Sequence, residues 1–246
     1  MPSPRMLHAA IRRLRLLALL IATALASAGS VQGDTIVMQA SEDTAPYSFL
    51  PSLPRHTSPT LYAFRSLDEQ NVEHDFETYL WFDVAEEDLP PGHVLVQALL
   101  VNTYAFDFTG FGDPSSDPGT IECREVLEPW TQTSLTWSNR PEYDAPFDSV
   151  TGITGFGAMI CDATAVVFDW IHGVHPNEGF ALTNPGERVI GMHSLESGQP
   201  GALLPTLILT TELPEPGLGL ALGVGVFGLV LSGRMRRERG RAGADR

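Results

Sequence analysis

Between residues 34 and 212, apolar and polar positions alternate in short runs broken by Pro, Gly, Asp and Ser. A period of two sends successive side chains to opposite faces of a strand, so the pattern predicts an all-β domain whose strands each bury one face. The clearest run is ETYLWFDV (77–84), in which Thr78, Leu80, Phe82 and Val84 point one way and Tyr79, Trp81 and Asp83 the other. After the turn EEDLPPGH comes VLVQALLVNTYAFDF (94–108), too long and too rich in β-branched and aromatic residues for a loop. Further strands are expected at TIVMQA (35–40), TLYAFR (60–65), TIECREV (120–126), GFALTN (179–184), RVIGMHS (188–194) and TLILTTE (206–212). Eight or so strands joined by short polar turns predict a two-layer antiparallel β-sandwich or jelly roll. One segment departs from the period: in DATAVVFDWIHG (162–173), Val166, Val167, Trp170 and Ile171 recur at helical spacing. With Asp162 as N-cap and Gly173 as stop, it predicts one short helix closing an end of the sandwich.

The two ends of the 246-residue chain follow different rules. Arg5, Arg12, Arg13 and Arg15 precede the apolar run Leu16–Leu25, and small residues follow at Ala24–Ala28. That arrangement predicts a secretory signal peptide over residues 1–28 and ordinary export. At the other end LPEP (213–216) leads into residues 217–233, which are uncharged and contain six glycines. As a helix they would span roughly 26 Å against a hydrocarbon core of about 30 Å, so a C-terminal single transmembrane helix is expected there. Arg234, Arg236, Arg237, Arg239 and Arg241 follow within residues 234–246 and would keep this basic tail in the cytoplasm.

Charge narrows the function. The exported region, about residues 29–212, has 27 acidic residues, five arginines (Arg55, Arg65, Arg124, Arg140, Arg188) and no lysine, a net charge of −22. Such a surface repels nucleic acid and anionic headgroups and removes both as partners. Cys123 and Cys161 are the two cysteines of the chain. In an oxidising compartment one disulfide is expected, with a single connectivity available.

Candidate chemistry is sparse. Trp130, Trp137 and Trp170 have faces that could stack on sugar rings, but large aromatics more often fill cores. Trp81, beside Asp83 on the partly solvated strand face, is the better glycan-binding candidate. His172 and His175 near Asp169 invite a zinc reading, yet no third ligand is evident, and they read as solvated loop histidines. Asp107, Asp113 and Asp117 offer oxygen ligands, but not with the spacing of an EF-hand. No cofactor is expected, and a structural calcium stays unlocated. Glu73, Asp75 and Glu77 alternate, which puts carboxylates on one strand face as a glycosidase pair would need, although such runs are usually solvated strand edges. The chain has no G-x-S-x-G elbow, H-E-x-x-H or phosphate-binding glycine loop, so no enzyme is expected.

Two resemblances add to this reading. The segment WTQTSLTWSNRP (130–141) resembles the hallmark of DNRLRE-type domains through Trp130, Ser134, Thr136, Trp137, Asn139 and Pro141. Downstream, VVFDWIHGVHPNEGFALTN (166–184) is similar to the family's helix and following Asn-x-Gly-Phe-x-Leu, through Trp170, Gly173, Asn177, Gly179, Phe180 and Leu182. The resemblance covers residues 34–212 and implies a β-sandwich related to carbohydrate-binding modules on secreted bacterial proteins. It also implies a structural place for Trp130, Trp137 and Trp170. Trp81 stands where the family usually has an arginine. Pro214-Glu215-Pro216, a short apolar span and an arginine cluster together resemble the PEP-CTERM sorting signal. That resemblance implies an exosortase-type processing partner and a membrane-anchored intermediate at the inner membrane. It further implies delivery to the cell envelope or extracellular matrix of a Gram-negative bacterium. Three functions stay open: a non-catalytic surface or matrix protein that binds polysaccharide, an adhesive module with a protein partner, and a polysaccharide-active enzyme.

Overall fold

Val94–Phe106 (β6), the longest strand among the described residues, is the one around which the first sheet is built. The structure is a computed structural model that describes residues 33–67, 73–106, 118–154, 157–186, 188–201 and 204–214. The signal segment, the loop carrying Asp107, Asp113 and Asp117, Glu215, Pro216, the apolar span and the arginine tail lie outside the described residues. Among the described residues no helix is long and apolar enough to cross a membrane.

Among the described residues all strand pairings are antiparallel, within one compact unit, Gly33–Glu212. In the first sheet Gly33–Gln39 (β1) pairs with Thr206–Glu212 (β12), which pairs with β6. Ile190–His193 (β11) joins β6 to Thr60–Leu67 (β3), and β3 pairs with Glu73–Phe76 (β4). Gly157–Asp162 (β9) takes the other edge of β6, because Tyr104 faces both Met192 and Gly157 and Val101 faces both Thr206 and Ile160. The second sheet runs Glu42–Thr44 (β2), Thr78–Trp81 (β5), Phe180–Thr183 (β10), Gly119–Glu125 (β7) and Asp148–Ile153 (β8).

The period-two reading holds where it was clearest. Thr78, Leu80, Phe82 and Val84 face the interior between the sheets, and Asp83 is exposed. Leu61, Phe64, Leu100, Ile121, Phe180, Leu182 and Ile190 complete a dry core, each at 1% exposure or less. Burying a side chain of this size contributes about 1.5–3 kcal/mol, which makes the inter-sheet layer the main stabiliser of the fold. The strand expected over 77–84 ends at Trp81, where the chain leaves the ladder. Several connections are also long rather than short turns, notably 45–59 and 127–147.

The helix forms as α1, Thr164–Ile171, and buries Val166, Val167, Trp170 and Ile171. Its N-cap is Ala163 rather than Asp162. Asp162 still serves the helix start, since its Oδ1 accepts from the Thr164 N–H at 3.0 Å and from the Thr164 hydroxyl. The capping carboxylate thus acts one residue earlier than its usual place. Trp170 anchors the helix to the second sheet by donating from Nε1 to Glu125 Oε1 at 2.8 Å.

Two features tie the layers covalently and electrostatically. Cys123 on β7 and Cys161 on β9 form a disulfide between the sheets, with 38 residues of sequence separation. Asp43 on β2 is 1% exposed and accepts the Leu195 N–H on Oδ2 at 2.7 Å. Burial pushes its carboxyl up from 3.8 to about 7, the Leu195 bond opposing and the nearby Glu196 charge adding to the rise.

Both features yield predictions. Cys123→Ser with Cys161→Ser should lower the unfolding free energy by about 4 kcal/mol at most, the chain-entropy value for a loop of this length. Denaturant unfolding of the two proteins, with and without reductant, measures it. For Asp43 the folded state holds a proton that the unfolded chain releases near pH 4, so its contribution falls as pH rises from about 4 through 7. Asp43→Asn should flatten that part of the stability-against-pH curve and raise the melting temperature at pH 7, as read by thermal unfolding across the range.

Candidate functional site

Between β4 and β5 the chain changes sheets across a single residue. Phe76 ends β4 in the first sheet and Thr78 begins β5 in the second, which leaves Glu77 on the flank between them. Glu77 is 9% exposed and fully partnered. Its Oε2 accepts the Tyr79 hydroxyl at 2.8 Å, its Oε1 accepts the Tyr143 hydroxyl at 3.0 Å, and Arg140 Nε stands 3.4 Å away. Burial, reinforced by the Glu77 charge, raises the Tyr143 phenol to about 12 and the Tyr79 phenol well above its usual range. Both hydroxyls therefore stay protonated donors at any physiological pH.

Glu73, Asp75 and Glu77 accordingly do not form the solvated edge of one strand. Asp75 is also 9% exposed and lies 3.8 Å from Arg65 Nε. The reason is topological: a carboxylate at a sheet crossing is covered from both layers and must be neutralised there. Among the described residues no group of three or more His, Cys, Asp or Glu is arranged to hold a metal. His172 and His175 are both exposed; a ring nitrogen of His172 meets the Phe168 carbonyl at 2.7 Å, and His175 pairs with Glu125 at 3.5 Å.

Residues 127–147 form the cover of the second sheet's outer face. Leu135 clusters with Tyr79 and Ala181, which β5 and β10 turn outward, and with Val126, the residue after β7. Trp130 lies edge-on to Tyr79 at 5.8 Å and donates from Nε1 to the Glu178 carbonyl at 2.8 Å. Asn139 fastens the loop to itself: its Oδ1 accepts the Thr136 N–H and hydroxyl, each at 2.7 Å, and its Nδ2 donates to Ser134 O at 3.0 Å. The Thr/Ser-rich step between the two tryptophans is thus a self-bonded turn. The downstream motif instead fastens to the chain that leaves β5. Asn177 donates to Phe82 O at 2.8 Å and accepts the Gly179 N–H at 3.2 Å. Gly179 has φ +85°, and a Cβ there would meet Leu80 O at 2.3 Å, so only glycine fits.

Where the cover meets the Glu77 flank, a cleft of about 440 Å³ opens to solvent. Phe64 and Phe76 line it together with Arg65, Asp75, Glu77, Glu122, Arg124, Trp137, Arg140, Tyr143 and Thr183. Arg140 lies over the half-buried Trp137 ring at 3.9 Å and donates to the Trp137 carbonyl at 2.9 Å. Arg124 donates to Thr183 Oγ1 at 3.0 Å, Asp144 O at 3.0 Å and Glu122 Oε2 at 2.6 Å, beneath the Tyr143 ring at 5.2 Å.

Of the tryptophans singled out in the sequence, Trp137 lines this cleft, Trp130 staples the cover, and Trp170 is buried at 6% exposure. Trp81 is half-buried outside it, its Nε1 donating to Asn177 O at 3.2 Å. The structure does not bring Trp81 and Trp137 into one site. The arginines and Tyr143 escaped the sequence reading, although one signal was present. Three of the five arginines of a lysine-free acidic domain converge here.

A two-sheet sandwich with an aromatic-edged, hydrogen-bonding cleft on its flank has the form of a ligand-binding module. The chain matches carbohydrate-binding module family 96 over residues 30–211 and belongs to that family. A search of curated proteins finds no match.

Proposed function

We propose that the chain is an exported, non-catalytic polysaccharide-binding protein whose binding site is the cleft at Trp137, Arg140 and Tyr143. The observation that carries this is the pairing of an aromatic ring with fixed hydrogen-bonding side chains in an open cleft of a family 96 domain. A sugar ring presents an apolar face and a hydroxyl rim, and these match Trp137 and the surrounding polar groups respectively. The carboxylates support the non-catalytic reading: Glu77 is held by two tyrosine hydroxyls and Arg140, and Glu122 by Arg124.

Trp137→Ala should weaken polysaccharide binding by about tenfold, the equivalent of one lost aromatic contact. Trp81→Ala should leave it unchanged. Affinity electrophoresis in polysaccharide-containing gels reads both, with thermal unfolding as the fold control. The opposite ranking would move the site to Trp81, and release of reducing ends from any polysaccharide would replace the binding reading with an enzymatic one.

The destination of the domain follows from its tail, in this proposal. Pro214-Glu215-Pro216, the apolar span and the Arg234–Arg241 cluster support sorting by an exosortase-type enzyme from an inner-membrane intermediate to the envelope or matrix. Pro214 and its neighbour Leu213 are exposed, as a processing site requires. Replacing Pro214, Glu215 and Pro216 with alanine should leave the full-length chain in the membrane fraction, while the native chain is shortened and released. Intact mass of the protein in each fraction decides it, and identical processing of both chains would exclude the sorting signal.

A further inference from the structure

Beside the cleft stands an apolar loop tip that the fold does not bury. Residues 49–53 read FLPSL, and Phe49, Leu50 and Leu53 are all exposed, Phe49 at 55%. Within an exported region of net charge −22, these five consecutive residues form an uncharged surface with an aromatic ring. Single exposed hydrophobics are ordinary, whereas a contiguous group marks a contact site.

Local hydrogen bonds fix the shape of this tip. Tyr47 O accepts the Leu50 N–H at 3.1 Å and Leu50 O accepts the Leu53 N–H at 3.0 Å, which makes two successive turns. Ser48 clamps the loop to β4, donating its N–H to Asp75 O at 3.0 Å and accepting the Asp75 N–H on Oγ at 2.7 Å. The Phe49 ring lies on the His74 ring, with centroids 5.1 Å apart and planes tilted by 21°, and His74 Nδ1 is 2.7 Å from the Tyr47 hydroxyl oxygen. One face of Phe49 is therefore backed by an anchored imidazole, while more than half of the residue stands in solvent. A ring supported from behind and open in front is a platform for a flat apolar surface, such as one face of a sugar ring.

The tip is joined to the cleft at two points. Tyr47 stacks on Phe76, which lines the cleft, at 4.1 Å and reaches Phe49 at 6.0 Å. Pro51 O accepts the Ser138 N–H at 2.9 Å, and Ser138 follows Trp137, another lining residue. Chain geometry through that bond keeps the Cα atoms of Phe49 and Trp137 no more than about 15 Å apart. A short oligosaccharide covers such a distance. We propose that Phe49, flanked by Leu50 and Leu53, is a second stacking subsite for the polysaccharide held in the cleft, so that the site takes several consecutive sugars of one chain. This rests on the reading of the cleft as a polysaccharide site. Trp137 and Phe49 each take the apolar face of a different sugar, and the polar groups of the cleft take the hydroxyl rims near Trp137. Affinity then grows with chain length until both rings are covered, because the second contact is made within an already bound chain.

The test uses the full-length chain in mild detergent. Affinity electrophoresis against β-glucan, mannan, xylan, polygalacturonate, polymannuronate and chitosan selects the polymers that bind, and their disaccharide, tetrasaccharide and octasaccharide fragments are then titrated. The native chain should bind the octasaccharide at least about tenfold more tightly than the disaccharide. Phe49→Ala and Phe49→Leu should both remove that gain while changing disaccharide binding by less than about twofold, and Phe49→Tyr should keep it. Leucine still covers His74, so a loss shared with alanine isolates the flat ring from packing, with unfolding temperature as the fold control. Four results would each overturn the subsite while leaving the Trp137 cleft in place: no gain with length in the native chain, an unchanged gain in a folded Phe49→Ala protein, an unchanged gain in Phe49→Leu, or an equal loss at every length. Failure of every polymer to bind would remove the polysaccharide reading itself, and this proposal with it.

Discussion

A buried carboxylate needs partners, and Glu77 is where that requirement organises the molecule. The chain passes from one sheet to the other at this residue, so its carboxylate is enclosed by β3 and β4 on one side and by the cover segment on the other. Two tyrosine hydroxyls and one guanidinium satisfy it. Tyr79 comes from β5, while Tyr143 and Arg140 come from the cover, so neutralising Glu77 also draws residues 127–147 onto the second sheet. Breaking one member of such a set strands the others, which is why its cost exceeds that of an exposed pair.

The cleft follows from this arrangement. Arg140, held by Glu77, lies over Trp137, and Tyr143, donating to the same carboxylate, stands over Arg124. Aromatic rings and charged groups thus hold one another in fixed rotamers across the cleft.

Much of the architecture was legible along the chain because half-buried strands write their period into the sequence. Ile121 and Cys123 on β7, and Thr78 through Val84, face the side their alternation assigns them. The strands that escaped were β2, only three residues long, β4 with its charged EHDF, and β8 and β9, whose DSVTGI and GAMICD mix small and polar residues. Their pairing is decided by neighbours rather than by their own pattern. The site was less legible for a similar reason. Trp137 was visible in a motif, but Arg65, Glu77, Arg124 and Tyr143 are brought together only by the sheet crossing and the long cover. Local spacing carries no record of that.

The disulfide has a second consequence beyond the sheets it joins. Cys123 and Cys161 bracket residues 124–160, and that interval contains Arg124, Trp137, Arg140 and Tyr143, most of one wall of the cleft. Oxidation closes a ring of chain around the wall, and a reduced chain must hold the same wall by noncovalent contacts alone. The redox state of this one bond therefore acts on the cleft wall as well as on the scaffold, through a crosslink whose own sulfur atoms stand outside the lining.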